Sequence, residues 1–345
     1  MKYIDMHSDT ITSLFKEDKH LYENDFHIDI NKMKKGECML QNFAIFTDID
    51  KEDSKFTYDS IDYYYSELEL NKDYIKPVYK YEDIINNDIN GYISAMLTLE
   101  EGSVIDNDLK NLDKFYDLGV RMITLTWNYP NGIGYPNFIS HKDYGTNPLY
   151  IFDKENGLTE FGIEFVKKCE ELGIIVDVSH LSDKGFYDVL KYTTKPFVAS
   201  HSSARSVCGV ARNLDDEMIK LLANKGGVTG VNYCSAFIED NNETNTTIEG
   251  IVKHIRHIVS VGGIDCVGLG SDFDGIENNL EFKDAGGMQK IYIALKPYFN
   301  EEEIEKIFYK NVLRVYHDCL KWYDNIVKGD KLIWKQFGIS ITIMK

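Results

Sequence analysis

Three histidines and three carboxylates follow or end short apolar runs in this sequence. His7 and Asp9 come directly after the apolar-leaning run 3–6. In an extended strand, side chains two positions apart share one face, so a strand that continued through Asp9 would point both toward one place. A neutral imidazole and a carboxylate that converge are good ligands for a divalent metal ion. The other four residues of this kind are Glu100, His180, His201 and Asp272.

This set of side chains is typical of a zinc site and is rich enough for two ions. Glu100 is the natural bridge, because a carboxylate between two cations offsets their repulsion. A bound metal lowers the pKa of water toward about 7 and so supplies hydroxide at neutral pH. Asp272 is expected to take and return that proton. Singly, each residue has a plainer explanation, such as a helix cap for Glu100 or a turn for Asp272.

Eight strand candidates position these residues, and helix-sized segments separate most of the strands. This alternation predicts βαβ units and a parallel sheet, and eight strands are the number that closes a (β/α)8 TIM barrel. The alternative is an open doubly wound sheet, in which ends on opposite edges would lie too far apart to meet. The candidate residues sit at carboxyl ends, where barrel enzymes gather their chemistry. The strands are predicted at 3–6, 40–46, 92–99, 120–126, 174–179, 196–200, 227–232 and 265–270.

We expect residues 1–325 to form one barrel domain. Residues 326–345 do not fit the barrel pattern, and they are interpreted as a C-terminal extension: an added strand, a dimer contact or a poorly ordered tail. Residues 128–157 are the longest turn-rich segment. Long loops of this kind inside a compact domain are usually functional walls or lids.

The composition narrows the possible partners. The chain has 345 residues, 43% of them hydrophobic, and a formal net charge of −18. Without a local basic patch, such a charge disfavours nucleic-acid and membrane-surface partners. No signal peptide and no stretch of about 18 apolar residues is evident. The six cysteines lie far apart without CxxC pairing, which favours free thiols and a cytoplasmic location.

The same residues lie in motifs that resemble the membrane dipeptidase (renal dipeptidase) family of zinc metallopeptidases, a branch of the amidohydrolase-like barrels. The motifs follow the order of the family and cover nearly the whole chain, to about Tyr323. HxD alone would be a weak signal, but together the motifs are highly specific. The matching segments are 5–10 (DMHSDT), 98–102 (TLEEG), 177–180 (DVSH), 200–205 (SHSSAR), 211–214 (ARNL) and 270–275 (GSDFDG).

The resemblance implies a role for each matched residue. One zinc would be held by His7 and Asp9, the other by His180 and His201, and Glu100 would bridge the two. Asp272 matches the catalytic aspartate of the family. Arg212 matches the arginine that binds the carboxylate end of a dipeptide, a task suited to a planar guanidinium. On its own, an arginine is more often part of a surface ion pair.

One position departs from the animal enzymes, which carry a substrate-binding histidine in a Leu-Thr-His run. Here the run reads Leu125-Thr126-Trp127-Asn128. Trp127 cannot reproduce that histidine, because its indole only donates, from one nitrogen. Asn128 or His141 of the long loop would substitute, or the substrate subsite has changed. The targeting segments and disulfides of secreted members are not evident either, so the chain resembles a soluble microbial member, with a homodimer implied by the family.

The sequence thus predicts a binuclear zinc dipeptidase that cleaves the peptide bond with a metal-bridging hydroxide. Trp127 makes a related metal-dependent amide or lactone hydrolase, with a different small substrate, the first alternative. A catalytically silent barrel that binds a partner through its aromatic surface is the second. The presence of all six metal-site residues argues against the silent barrel.

Overall fold

The computed structural model describes residues 1–137, 148–239 and 244–320. Eight parallel strands form a closed barrel in which each strand pairs with the next. The ring closes where Asp5 of the first strand pairs with Leu269 of the last. This confirms the predicted (β/α)8 barrel and rules out the open sheet. The strands are β1 (Tyr3–Asp5), β2 (Cys38–Phe46), β3 (Ile93–Glu100), β4 (Val120–Thr124), β5 (Ile175–Asp177), β6 (Val198–Ala199), β7 (Val228–Val231) and β8 (Val267–Leu269).

Helices surround the barrel, and side-chain caps begin several of them. Ser182, for example, accepts a hydrogen bond from the Gly185 N–H at 2.9 Å and so caps the helix that follows it. The α-helices are α1 (Thr10–Glu17), α2 (Ile30–Gly36), α3 (Ser54–Leu70), α4 (Tyr81–Ile89), α5 (Leu109–Asp117), α6 (Glu160–Leu172), α7 (Asp183–Tyr192), α8 (Asp216–Asn224), α9 (Ser235–Ile238), α10 (Ile248–Gly262), α11 (Gln289–Leu295), α12 (Glu301–Glu305) and α13 (Asn311–Cys319).

Short elements complete the described chain. The segment Lys306–Lys310 between α12 and α13 is a π-helix. The 3-10 helices are Gly102–Ile105, Pro148–Tyr150, Ile264–Cys266 and Ala285–Gly287. A short strand, Ile75–Pro77, pairs with β3, and Asn245–Thr246 pairs with Asn279–Leu280 in a separate two-stranded sheet. The predicted extension 326–345 lies outside the described residues.

Four helices were not expected from the sequence: α1, α2, α4 and the short α9. The first of them corrects the local geometry of the site, because β1 ends at Asp5 and does not run on through Asp9. Asp9 is instead the residue that precedes α1. The polar residues that follow His7 weakened the helical pattern there.

The barrel interior is apolar at the end opposite the candidate residues. Side chains from the strands meet α13, which covers that end of the barrel with Val312, Val315 and Tyr316. The buried Tyr316 hydroxyl donates to Asn42 Oδ1 of β2 at 3.0 Å. The polar chemistry is therefore confined to the carboxyl ends of the strands.

In the described part of the chain, every helix is too short or too polar to span a bilayer.

Candidate metal centre

The six candidate side chains converge at the carboxyl ends of the strands, with Glu100 at their centre. Glu100 Oε2 lies 3.1 Å from His7 Nε2, and Oε1 lies 2.9 Å from His180 Nε2. The same Oε1 is 3.6 Å from His201 Nε2. Asp9 and Asp272 flank the other side, with carboxylate oxygens 3.9 and 4.0 Å from His7 Nε2. Residues more than 260 positions apart thus share one buried cluster.

The turns that follow the strands direct these side chains inward. His180 and Asp272 have φ angles of 70° and 61°, in the left-handed region that non-glycine residues rarely adopt. Gly275, in the turn after β8, packs directly against the cluster. A Cβ on Gly275 would lie 2.0 Å from Asp9 Oδ2 and 2.6 Å from Asp272 Oδ1. A side chain at this position would therefore require these carboxylates to move.

Hydrogen bonds at the far ring nitrogens prepare two histidines for a metal. His180 Nδ1 donates to Asn128 Oδ1 and His201 Nδ1 donates to Ser200 Oγ, each at 2.7 Å. In neutral rings protonated at Nδ1, each Nε2 carries a lone pair. The two Nε2 atoms lie 3.0 Å apart beside Glu100 Oε1. These converging lone pairs repel one another unless a cation lies among them, so the donor set fits a metal ion.

The pKa shifts of the clustered side chains reflect an excess of negative charge in the site. Burial acts to lower the pKa of His7, but the Glu100, Asp9 and Asp272 carboxylates together outweigh burial and raise this pKa to about 10. Burial and the charge of Glu100 raise the pKa of Asp9 well above its usual value. Burial lowers the pKa of His180 to about 4, which keeps this imidazole neutral, as ligation requires. Divalent cations would offset the clustered carboxylates.

Among the described residues, three groups of histidines and carboxylates have ligand atoms within 4.8 Å of one another. Two of them, His7–Asp9–Glu100 and Glu100–His180–His201, are the sets assigned to the two zinc ions from the sequence. The third joins His7 and His201 to Asp177, but the Asp177 carboxylate already accepts four hydrogen bonds, from Thr124 Oγ1, Ser200 Oγ and the Ser179 and Ser200 N–H groups. We therefore regard Asp177 as a support for the site and not as a ligand.

Arg212 lies beside the cluster and is almost fully buried, at 4% exposure. Its Nη atoms make long contacts of 3.4 Å with Ser202 Oγ and with the His201 carbonyl oxygen. Its Nε has no hydrogen-bond partner among the described residues. A buried guanidinium that makes so few hydrogen bonds to the protein is suited to binding an anionic group of a ligand.

The loop after β4 covers one side of the centre. Trp127 packs against Phe46 and Tyr129, with ring centroids 4.9 and 5.3 Å away, and lies 6.4 Å from the His180 ring. Buried Glu101 holds the loop by accepting the Trp127 N–H at 2.9 Å. Because Asn128 Oδ1 accepts from His180, the structure places this side chain next to a metal-site residue. His141 lies outside the described residues.

Several residues of the site were not singled out from the sequence. Buried Asp5 and Asp177 each hold a serine of a neighbouring strand end, Ser271 and Ser200, through a 2.5 Å hydrogen bond. Asn232 donates to Asp272 Oδ2 at 2.9 Å. The one signal for the aspartates was their position two or three residues before a histidine. No such signal pointed to the two serines and the asparagine, because the aspartates that they contact lie on other strands.

The other histidines that the structure describes bind protein groups outside the cluster. His254 is fully buried on α10, where its Nδ1 accepts the Ala204 N–H at 3.0 Å and its Nε2 donates to the Ile238 carbonyl at 2.8 Å. The others pair with carboxylates, namely His20 with Glu67, His27 with Asp274, His257 with Asp216 and His317 with Asp318.

A (β/α)8 barrel with histidines and carboxylates clustered at its carboxyl rim defines the class of amidohydrolase-like, metal-dependent hydrolases. Within this class the sequence profile of the membrane dipeptidase family (peptidase family M19) matches residues 1–325. The chain belongs to this family. The match confirms the family resemblance and the enzyme class, metallo-dipeptidase, drawn from the motifs.

Two individual proteins are similar in sequence to this chain. The chain is 31% identical over 342 residues to an uncharacterized dipeptidase of Schizosaccharomyces pombe, covering 91% of this chain and 80% of that protein. It is 34% identical over 229 residues to an uncharacterized protein in the pqqA 5′ region of Klebsiella pneumoniae, covering 65% of this chain and 81% of the relative.

Solved structures share the fold. A metallopeptidase of Rhodobacter sphaeroides, liganded with a phosphinate mimic of the dipeptide L-Ala-D-Ala, superposes with a TM-score of 0.83 at 24% identity, over 92% of this chain and 99% of that one. The dipeptidase AC, of the same peptidase family, gives a TM-score of 0.84 at 24% identity, over 93% and 99% of the two chains.

Proposed function

We propose that this protein is a binuclear zinc-dependent dipeptidase. One observation carries the proposal: the Glu100 carboxylate lies within 3.6 Å of imidazole nitrogens from three histidines on three different strand ends. In this arrangement His7 and Asp9 hold one zinc, His180 and His201 hold the other, and Glu100 bridges both. The mixture of imidazole and carboxylate donors suits zinc.

The chain supplies the proton transfer and the metal ions supply the nucleophile. When bound, a pair of zinc ions would supply hydroxide at neutral pH and would polarise the scissile carbonyl group. Asp272 Oδ1 faces the cluster, while Oδ2 is held by Asn232. Asp272 therefore has one oxygen free to receive the proton of the nucleophile and to return it to the leaving amine.

The proposed substrate is a dipeptide, bound between Arg212 and the loop after β4. The Arg212 guanidinium, which makes only long hydrogen bonds to the protein, would bind the terminal carboxylate with charge-assisted hydrogen bonds. Trp127 and Phe46 form an aromatic wall next to His180, where the family's substrate-binding histidine would otherwise lie. We propose that Trp127 contacts the substrate directly and that Asn128 acts mainly through its hydrogen bond to His180.

The aromatic wall also supports a second candidate function. A metal-dependent hydrolase of another small amide or of a lactone would use the same metal centre with a different substrate subsite. In that case Trp127 would pack on an apolar or cyclic substrate, and Arg212 would bind a carboxylate elsewhere on it.

Hydrolysis of a dipeptide panel tests the proposal and separates the alternatives. The purified chain would be assayed as isolated, after chelation, and after zinc is added back. We expect hydrolysis that chelation removes and zinc restores. Hydrolysis of amides or lactones without dipeptide hydrolysis would favour the second function. A chain that binds its full complement of metal and hydrolyses none of these substrates would contradict the enzyme assignment.

Three further features remain predictions. All six cysteines are free thiols, which supports the proposed cytoplasmic location, since thiols persist in reducing compartments. A homodimer is proposed from the family resemblance, and light scattering of the purified chain would measure it. The boundary between a barrel domain of residues 1–325 and an extension of residues 326–345 would be tested by limited proteolysis.

A further inference from the structure

Two buried aspartate–serine pairs lie at the strand ends around the metal centre, and they are built alike. At the end of β5, Asp177 Oδ1 accepts the Ser200 N–H at 2.8 Å and Oδ2 accepts the Ser200 hydroxyl at 2.5 Å. At the end of β1, Asp5 does the same with Ser271, at 2.8 and 2.5 Å. All four side chains are fully buried.

The two pairs differ in what the serine reaches next. Ser200 Oγ lies 2.7 Å from Nδ1 of the adjacent His201. Ser271 Oγ contacts only the His7 main-chain oxygen, at 3.2 Å, and the Phe273 N–H. The His7 Nδ1 atom has no hydrogen-bond partner among the residues that the structure describes. One pair therefore contacts an imidazole of the centre, and the other does not.

The direction of the hydrogens follows from the donors around Asp177. All four groups that contact its carboxylate can donate, so the carboxylate accepts from each. Ser200 has a single hydroxyl hydrogen, which the 2.5 Å contact assigns to Asp177. Its oxygen can then only accept from His201 Nδ1. The proton is thereby fixed on Nδ1, and the Nε2 lone pair points toward Glu100 and His180.

We propose that Asp177 and Ser200 form a positioning relay that fixes the tautomer and orientation of His201 for metal binding, whereas the equivalent pair Asp5–Ser271 serves the fold alone. The relay rests on the proposed binuclear centre, because His201 is one of its ligands. Neither Asp177 nor Ser200 touches the metal or the substrate in this arrangement. Supporting hydrogen bonds of this kind typically contribute 10–100-fold to metal affinity.

Zinc titration of the chelator-stripped full chain tests the relay, with Ser200→Ala as the variant and Ser271→Ala as the matched control. We expect the wild type to bind two zinc ions, and Ser200→Ala to bind one of them about 10–100-fold more weakly. Ser271→Ala, which removes an equally short and equally buried hydrogen bond, is expected to bind both ions like the wild type. Wild-type affinity in Ser200→Ala, or an equal loss in Ser271→Ala, would overturn the relay.

A second measurement keeps the test independent of folding losses. Asp177→Asn preserves volume but can donate to Ser200, so the serine hydroxyl would turn toward His201 Nδ1. Long-range ¹H–¹⁵N NMR of the metal-free histidine rings is expected to show His201 protonated at Nδ1 in the wild type and at Nε2 in this variant. An unchanged tautomer would overturn the relay while leaving the dipeptidase proposal intact. A wild-type chain that binds no zinc would overturn both.

Discussion

Asp272 is the only carboxylate of the centre for which the proposed mechanism requires proton transfer and not metal binding. Its backbone has a φ of 61°, and its Oδ2 is held by Asn232 at 2.9 Å. A turn residue held in this strained conformation is oriented before any ligand arrives. Its role therefore depends on the one oxygen that faces the cluster.

Replacing Asp272 by asparagine removes the basic oxygen and keeps the shape. We expect kcat for dipeptide hydrolysis to fall by about 10²–10⁴-fold, the usual contribution of general acid–base catalysis, with the zinc content unchanged. Steady-state kinetics and elemental analysis of the same preparation would measure both quantities. Unchanged turnover would contradict the assigned role, and loss of zinc would make Asp272 a ligand instead.

Arg212 is expected to recognise the carboxylate of the substrate. In Arg212→Met the side chain still packs over Phe237, whose ring centroid is 5.4 Å from the guanidinium carbon, but the charge is lost. A hydrogen bond to a charged group contributes about 1.5–3 kcal/mol, so kcat/KM for a free dipeptide should fall roughly 10–100-fold. The matching dipeptide amide, which lacks the carboxylate, should be affected much less. An equal loss for both substrates would show that Arg212 only supports the structure.

The turn after β8 brings Asp272 and Asp9 together, and Gly275 lies at their closest approach. In Gly275→Ala the new Cβ would lie 2.0 Å from Asp9 Oδ2, so the carboxylate must move away from His7. We expect at least a tenfold loss of zinc affinity at the His7–Asp9 site. Gly209→Ala is the control, because a Cβ there has no atom within 4 Å. Equal zinc binding by the two variants would contradict this account of the turn.

Helix α10 is held to the loops after β6 and β7 through His254. Burial lowers the pKa of His254 to about 4. Above pH 6.5 the ring is neutral in both states. As the pH falls from 6.5 toward 4, the unfolded chain takes up a proton that the folded chain cannot bind, so the free energy of unfolding falls. Between pH 7.5 and 5 this loss amounts to about 2 kcal/mol.

His254→Gln tests this linkage, since glutamine can accept from Ala204 and donate to Ile238 without titrating. Denaturant unfolding of both chains, stripped of metal, would be compared at pH 7.5 and pH 5. We expect the wild type to lose about 2 kcal/mol more than the variant over this interval. Parallel losses in the two proteins would mean that His254 does not resist protonation in the folded state.

At the level of the whole barrel, periodicity and strand ends were enough to predict the architecture. Short apolar runs bounded by turns defined the eight strands, and a parallel barrel brings their carboxyl ends to one rim. That is why His7, Glu100 and His201 could be grouped from sequence positions alone. The barrel also corrected one detail: His7 and Asp9 converge through a turn into α1, and not along a continuous strand.

What the sequence could not predict depends on contacts between neighbouring strand ends. Ser200 precedes a histidine and Ser271 precedes an aspartate in the sequence, but only the fold shows that a buried aspartate of a neighbouring strand holds each serine. The requirement for glycine at position 275 arises from Asp9, which precedes it by more than 260 residues in the sequence. Such partners become visible only when the barrel has closed.

The central claim is that two metal ions are bound on either side of Glu100. An anomalous difference map of zinc-loaded crystals, recorded at the zinc absorption edge, measures this most directly. The account predicts two peaks per chain, one next to His7 and Asp9 and one next to His180 and His201, with Glu100 between them. A single peak, or zinc bound only away from these residues, would contradict it.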